Sequence, residues 1–404
     1  MLALGLALQA RGHRVTVAAS ESYRVKIENA GLPFRPIRPS FSIEDTHIVR
    51  QAMDPMSGPE YLIRTLLMPH LGDMYADLMA ATQSADLMIA GEAVFAAPLV
   101  AETRKLPWAA VILAPFSLFS VYDPPLVPQL LFAKAFTCAP PAVQRMLIAL
   151  ARAATRKWGD PLIKLRVSLG LRPTADPLFT DRFSPLLNLL MFSDVLGSPQ
   201  RDWPRGWVQT GFVFYDQPET GSAVDPRLRE FLRAGPAPIV FTLGSAAVMD
   251  PGSFFEESVR AARMLGMRSL LLMGKNTPRA EPGDDLLACG YVPYSQVFPL
   301  AACAVHQGGV GTTAQALSAG VPQLVMPYAY DQPDNALRIA RRGAGLWIRK
   351  DRYRAPAVAA KIRQLLTTTY TQRARLIGER VRSQTGIELA CAAVERQLAA
   401  LPSR

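Results

Sequence analysis

Residues 304–327 read AVHQGGVGTTAQALSAGVPQLVMP. A short apolar run ends at His306. Gly308, Gly309 and Gly311 follow, and Thr312 and Thr313 then open an alanine-rich segment closed by Gly320. Glycines allow a tight turn because no Cβ restricts φ. A strand–glycine turn–helix unit aims backbone N–H groups and the positive end of a helix at one point, and that point attracts phosphate. The two threonines add hydroxyl donors. A mere packing turn needs neither the histidine nor the threonines, so the phosphate reading is preferred.

The kind of phosphate ligand is narrowed by position. Gly309-Val-Gly311-Thr-Thr-Ala314 fits the G-x-G-x-x-A pattern of dinucleotide sites, and Asp331 follows at about the required distance. Two details oppose that reading. Pro327 ends the next strand before Asp331 is reached, and the loop comes after earlier strands of its half rather than at the first βα turn. No Gly-Lys-Ser/Thr follows, so it is not a P-loop. Beyond the strand lies PYAYDQPDN, residues 327–335. In parallel sheets ligands bind at this edge, and the carboxylate and amide of Asp331 and Gln332 suit several sugar hydroxyls. Taken alone, Asp331 before Pro333 reads as a helix N-cap. Beside the glycine loop, sugar binding is favoured.

Working outward, the second half alternates strands and helices. Strand candidates are 239–243 (IVFTL, ending in Gly244-Ser245), 268–273, a short strand ending near Tyr291-Val-Pro, 304–306 and 323–326. Helices are expected over 254–265, 312–319 and 334–342, with a long helical tail from about 355. The first half offers a helix over 1–11 and strands at 14–19, 87–90 and 108–113. One more strand, WVQTGF, lies inside a Pro- and Gly-rich stretch at 196–226 that reads as a linker. Such alternation predicts parallel, doubly wound sheets. Prolines break the apolar segment 123–145, which reads as a large loop or irregular helical insertion.

Composition excludes several classes. The chain has 404 residues, half of them apolar and 19% charged, which is too apolar for a disordered chain. Its net charge of +11 comes mostly from scattered Arg, without the basic block of a nucleic-acid arm. Four distant cysteines, Cys138, Cys289, Cys303 and Cys391, suit neither a zinc module nor a disulfide framework. No apolar run is long enough to span a bilayer, and residues 2–10 read as part of a soluble helix. No D-x-D or close His/Asp set suggests a metal site. His13 reads as a turn residue, and His47 and His70 as surface or loop residues.

From Tyr291-Val-Pro, through His306-Gln-Gly-Gly-Val-Gly-Thr-Thr and Ala319-Gly-Val-Pro, to Asp331-Gln332, the chain resembles the donor domain of glycosyltransferase family 1. Arg201-Asp-Trp-Pro, Thr210-Gly-Phe and Tyr328-Ala-Tyr-Asp-Gln-Pro-Asp-Asn resemble bacterial members that glycosylate lipids, with sterol and macrolide transferases as more distant relatives. Gly309 stands where plant members have Trp, as is usual in bacterial ones. The resemblance implies an α/β GT-B fold, two Rossmann-like doubly wound domains facing a cleft. Residues 1–214 would form the acceptor domain and 215–385 the donor domain, with 386–404 a helical tail whose crossing back to the first domain is left open.

The resemblance further implies that His306, Gly308, Gly309, Gly311, Thr312, Thr313 and the Gly244-Ser245 loop hold a donor diphosphate. Tyr291 and Val292 would flank the nucleobase, and Asp331 and Gln332 would bind the sugar. The implied reaction is inverting transfer from a UDP- or dTDP-sugar, a substrate rather than a cofactor, with no metal. The expected acceptor is lipophilic, from the apolar segment Phe116–Phe136, and the expected location is cytoplasmic, with peripheral membrane contact left open. An inactive sugar-nucleotide-binding homologue and a NAD-dependent oxidoreductase are the alternatives. The chain opens directly in a helix, so the first strand of its first domain, and the loop that carries the family's general base, are expected to be missing. No catalytic base is nominated from the sequence.

Overall fold

The computed structural model describes residues 1–42, 45–127, 137–174, 176–215, 226–244, 247–274, 283 and 285–401. Twelve strands appear among them. In the first half they are β1 (Val17–Ala19), β2 (Phe34–Pro36), β3 (Met88–Gly91), β4 (Trp108–Ile112), β5 (Leu187–Leu190) and β6 (Trp207–Gln209). In the second half they are β7 (Ile239–Thr242), β8 (Ser269–Leu272), β9 (Leu286–Cys289), β10 (Cys303–His306), β11 (Gln323–Val325) and β12 (Gly345–Trp347).

Strands β7 to β12 form one parallel sheet in the order β12-β11-β10-β7-β8-β9. Numbered within this half and read from β9, that is the 3-2-1-4-5-6 order of dinucleotide-type folds. Every residue of β7, β8 and β10 is buried, as expected for strands covered by helices on both faces. The direction of winding reverses between β7 and β10, so the glycine loop after β10 and the Gly244 loop after β7 flank the switch point. That is where an open α/β sheet leaves a crevice.

The first half is also parallel, but its strands form two sheets, β1–β2 and β3-β4-β5-β6. Among the described residues β1 and β3 each end their sheet. The helix Gly386–Ala399 returns to this half. Ala390, Cys391, Ala393 and Val394 pack with Leu187 and Leu189 of β5, Ala109 and Val111 of β4, and Leu4 and Leu8 of the first helix. Arg11 and His13 meet Glu395 at 3.0 and 3.4 Å, which gives His13 a structural partner.

Side chains tie the two halves together. Arg338 donates from Nε to Asp334 at 2.6 Å, and from Nη1 to Asp123 at 2.5 Å and to the Leu196 carbonyl at 2.9 Å. The Leu126 N–H donates to Asp334 at 2.9 Å, and the Tyr330 hydroxyl donates to the Ala52 carbonyl at 2.6 Å. These bonds bring the segment after β4 against the helix Gln332–Arg342, which Asp331 precedes.

Candidate active site

The glycine loop runs from the end of β10 into the helix Val310–Ala319, with Gly309 at the N-cap. Gly308 has φ +91°, and a Cβ there would meet Val325 Cγ1 at 2.6 Å, so only glycine fits. The first-turn N–H groups of a helix have no intrahelical acceptor, and exposed Gly311 opens that turn to solvent. Thr312 and Thr313 are buried behind it. Thr313 Oγ1 is shielded from solvent and has no hydrogen-bond partner. An orphaned hydroxyl at a helix N-terminus is a group that a bound anion satisfies.

His306 departs from its expected role. It is fully buried; its Nδ1 accepts from the Gly308 N–H at 3.0 Å, and its Nε2 lies 2.8 Å from Gln323 Oε1 on β11. Because Nδ1 accepts, Nε2 carries the proton and donates to Gln323. Burial pulls the imidazole pKa down to about 4, only partly offset by the Gln323 bond, so the ring is neutral. With both nitrogens engaged, His306 shapes the loop rather than presenting a free donor to a phosphate.

Gly244 faces the loop across the switch point. It has φ +67°, and a Cβ would lie 2.3 Å from Gln307 Nε2. Gln307, which sequence reasoning passed over, therefore fills the space between the two loops; its Oε1 is buried without a partner. Ser245 lies outside the described residues. Tyr291 and Val292 follow β9 at the same edge of the sheet, Tyr291 exposed and Val292 half-buried. Tyr294 stacks on Phe298 with ring centroids 4.7 Å apart and pairs with Thr242 Oγ1 at 3.1 Å, which fixes this segment against β7.

Asp331 occupies the N-cap position of the helix Gln332–Arg342, yet its side chain does not cap it. Its carboxylate instead accepts from Asn335 Nδ2 at 2.7 Å, and the same amide donates to the Gly308 carbonyl at 2.9 Å. Asn335 thus joins the Asp331 carboxylate to the glycine loop. The preceding residue, Tyr330, has φ +59°, a strained conformation for a bulky side chain that aims the turn. Burial pushes the Asp331 carboxyl up to about 6, against the Asn335 hydrogen bond, with the charges of Glu92 and Asp334 adding to the rise. Gln332 Oε1 accepts from the Tyr328 N–H at 2.9 Å and so braces the segment leading to Asp331.

The charge of Glu92 reaches Asp331 from the other half. Glu92 directly follows β3, and Ser117 lies in the short turn Pro115–Leu118 after β4; these strands are parallel neighbours, so both residues sit at one sheet edge. Ser117 Oγ donates to Glu92 Oε2 at 2.8 Å, while Oε1 is shielded from solvent and has no partner. Burial raises the Glu92 pKa, opposed by the charge of Arg182 and the Ser117 bond. Arg182 donates to the Ser117 carbonyl and completes the cluster. No motif announced these residues.

A cavity of about 1270 Å³ lies elsewhere, near the amino ends of β4 and β5. Trp108, Phe119, Phe183, Arg145 and Arg152 are among its walls, and no residue of the glycine loop or of the 327–335 segment lines it. From the apolar segment Phe116–Phe136, Leu118, Phe119 and Val121 face this cavity; residues 128–136 lie outside the described residues. Among the described residues no group of three or more His, Cys, Asp or Glu is placed to hold a metal ion, and no helix is long and apolar enough to cross a membrane.

O-mycaminosyltylonolide 6-deoxyallosyltransferase of Streptomyces fradiae is 33% identical over 419 aligned positions, covering 98% of this chain and 93% of that one. The chain belongs to glycosyltransferase family 1. The family described as erythromycin biosynthesis protein CIII-like, C-terminal domain, matches residues 278–395, which contain the glycine loop and Asp331. The glycosyltransferase of kitacinnamycin superposes with a TM-score of 0.73 at 19% identity, covering 99% of this chain and 95% of that one. A spinosyn rhamnosyltransferase complexed with thymidine diphosphate superposes with a TM-score of 0.68 at 19% identity, covering 98% and 95%. These likenesses establish the GT-B fold, and the family membership makes the chain a glycosyltransferase of bacterial natural-product type. The oxidoreductase alternative is thereby set aside.

Proposed function

We propose that this glycosyltransferase moves a 6-deoxyhexose from a dTDP-sugar to a hydroxyl of a lipophilic, macrolide-type acceptor, with inversion at the anomeric carbon. The observation that carries the reading is the Asn335 bridge, which fixes Asp331 beside the glycine loop so that one ligand can span both. A diphosphate at the first turn of the helix Val310–Ala319 meets free N–H groups and the Thr313 hydroxyl, which accommodate the charge that grows as it leaves. In this reading the helix terminus meets that charge without a metal ion. The sugar then lies over Asp331, whose carboxylate accepts from its hydroxyls. Tyr291 and Val292 close on the base.

The relatives favour dTDP and 6-deoxy sugars. One transfers 6-deoxyallose to O-mycaminosyltylonolide, and a rhamnosyltransferase was solved with thymidine diphosphate. The acceptor enters from the first half, where the segment after β4 reaches the helix Gln332–Arg342 through the Leu126 N–H on Asp334. The test is a turnover assay with dTDP-6-deoxyallose and O-mycaminosyltylonolide, following the glycosylated product by mass spectrometry and its anomeric configuration by NMR. Tight dTDP binding without transfer to any of a panel of macrolide alcohols and phenols would refute the proposal in favour of a nucleotide-sugar-binding homologue.

A further inference from the structure

We infer that Tyr330 is a positioning residue for the donor sugar: its hydroxyl anchors the turn before Asp331 to the first half, so that the carboxylate faces the sugar only when the two halves are together. This rests on the sugar-binding reading of Asp331 above and deepens it. The turn begins soon after β11 ends. The Tyr328 N–H is held by Gln332 Oε1 at 2.9 Å, and the chain then reverses through Tyr330 at φ +59°. A bulky side chain at positive φ is unfavourable unless its surroundings hold it there. Here the hold comes from across the junction. The Tyr330 hydroxyl donates to the Ala52 carbonyl at 2.6 Å, and the Gly58 carbonyl lies 3.5 Å away. The residue is half-buried, and burial pushes the phenol up to about 12, so it remains a donor throughout the neutral range.

The accepting side of this bond is held just as firmly. Ala52 closes the helix Thr46–Ala52, and carbonyls in the last turn of a helix lack an intrahelical donor. Asp54 folds the next turn by accepting from the Met56 and Ser57 N–H groups at 2.9 and 2.7 Å, and the Gly58 N–H donates to the Asp54 carbonyl at 2.9 Å. This turn brings Gly58 against Ala52. A Cβ at Gly58 would collide with the Ala52 carbonyl oxygen, so only glycine lets that oxygen keep its place under the Tyr330 hydroxyl. Two further contacts fix the segment on the second half. Arg50 donates to the two Asp250 oxygens at 3.1 and 3.2 Å, and Met53 packs against the core cluster that contains Tyr328. The first-half segment 46–58 therefore spans from the stretch after the Gly244 loop to the turn before Asp331. The glycine loop, the helix Val310–Ala319 and the Asn335 bridge all lie within the second half. Binding of dTDP alone does not draw on Tyr330, whereas binding of the attached sugar does.

The test measures by calorimetry the Kd of dTDP and of a dTDP-6-deoxyhexose for the wild type, Tyr330→Phe, Gly58→Ala, Asp331→Ala and the combination of Tyr330→Phe with Asp331→Ala. Tyr330→Phe should weaken the dTDP-sugar by roughly 2–12-fold, the range for one hydrogen bond, and leave dTDP within about twofold of wild type. Gly58→Ala, which alters no residue of the second half, should give the same pattern. In the Asp331→Ala background Tyr330→Phe should have no further effect, as expected of a residue that acts through Asp331. Unchanged dTDP-sugar affinity in Tyr330→Phe or in Gly58→Ala overturns the assignment. Equal weakening of both ligands also overturns it, as does the same loss with and without the Asp331 carboxylate, because a tyrosine that only supports the fold would give those patterns. Asp331→Ala that binds the dTDP-sugar as tightly as wild type refutes the sugar-binding reading itself, and the positioning role falls with it.

Discussion

Replacing Arg338 with leucine should weaken the whole molecule through the junction between its halves. The Arg338 side chain is 5% exposed and that of Asp334 only 1%, so neither is stabilised by water. The substitution removes the guanidinium bonds to Asp334, Asp123 and the Leu196 carbonyl. Asp334 keeps only the Leu126 N–H, and breaking one partner of a buried pair costs roughly 3–5 kcal/mol. Asp123 is 23% exposed, so water can take over part of its loss. Burial already raises the Asp334 pKa in the intact pair, with Arg338 opposing the rise. Without Arg338 it rises further. A group with a raised folded-state pKa contributes stability that is present below its unfolded value and lost as pH rises through the folded one. The destabilisation should therefore be greatest at alkaline pH and shrink on acidification, as Asp334 takes up a proton. Arg338→Leu combined with Asp334→Leu removes both charges and should recover most of the loss. Urea unfolding followed by circular dichroism and by tryptophan fluorescence measures this, coincident transitions licensing one free energy. A single variant within about 0.5 kcal/mol of wild type at every pH, or a double variant no better than the single, would refute the reasoning.

Thr313→Val should leave stability unchanged or slightly improved, since it removes an orphaned buried hydroxyl, yet weaken dTDP binding by about 1.5–3 kcal/mol in calorimetry; unaltered affinity would show that the hydroxyl does not meet the diphosphate. Gly308→Ala should cost more than tenfold in dTDP affinity, because its φ of +91° and the 2.6 Å approach to Val325 force the loop to move; binding equal to wild type contradicts this. The Kd of the dTDP-sugar should rise as pH falls through about 6 in the wild type and stay flat in Asp331→Asn, because protonated Asp331 accepts fewer sugar hydroxyls; parallel profiles for the two proteins would count against sugar binding by Asp331. By the same linkage Asp331→Asn should stabilise the free protein above that pH, by on the order of 1–2 kcal/mol once partial solvent access is allowed for, and no gain in the unfolding midpoint at alkaline pH would contradict the raised pKa.

The second half was legible because its signals are local. Strands β7, β8 and β10 are contiguous apolar runs, and a glycine turn followed by a helix can be read without knowing what lies across from it. Three strands escaped: β2, β5 and β12. β5 has Asn188 in its middle, which reads as a turn residue until its amide is seen bonding the Ser184 and Arg205 carbonyls and its oxygen the Ser184 N–H. β12 is only Gly345–Trp347, too short for any period to register. Asn335 carried a signal that could have been used, four residues after Asp331 and so on the same face of a helix. Glu92 carried none. One glutamate after a strand has no motif, and its partners Ser117 and Arg182 lie 25 and 90 positions further along. Only the pairing of β3 with β4, and the approach of the segment before β5, makes the three a cluster.

The place of the glycine loop in the topology also explains why its pattern misleads. G-x-G-x-x-A belongs to the turn after the first strand of a dinucleotide fold, whereas here it follows the fourth, β10, across the switch point from β7. The first-strand position is taken by the Gly244 turn, into which Gln307 packs from the loop itself. A dinucleotide's second half would need the crevice to continue along the same sheet. Instead the chain beyond β11 turns at Tyr330, presents Asp331, and is bound through Asp334 and Arg338 to residues of the opposing half. The crevice therefore ends where the two halves meet, with a helix N-terminus and the Asp331 carboxylate joined at that edge by Asn335. That division of charge suits displacement at a carbon held between them. A hydride transfer, which creates no departing anion, would gain nothing from it.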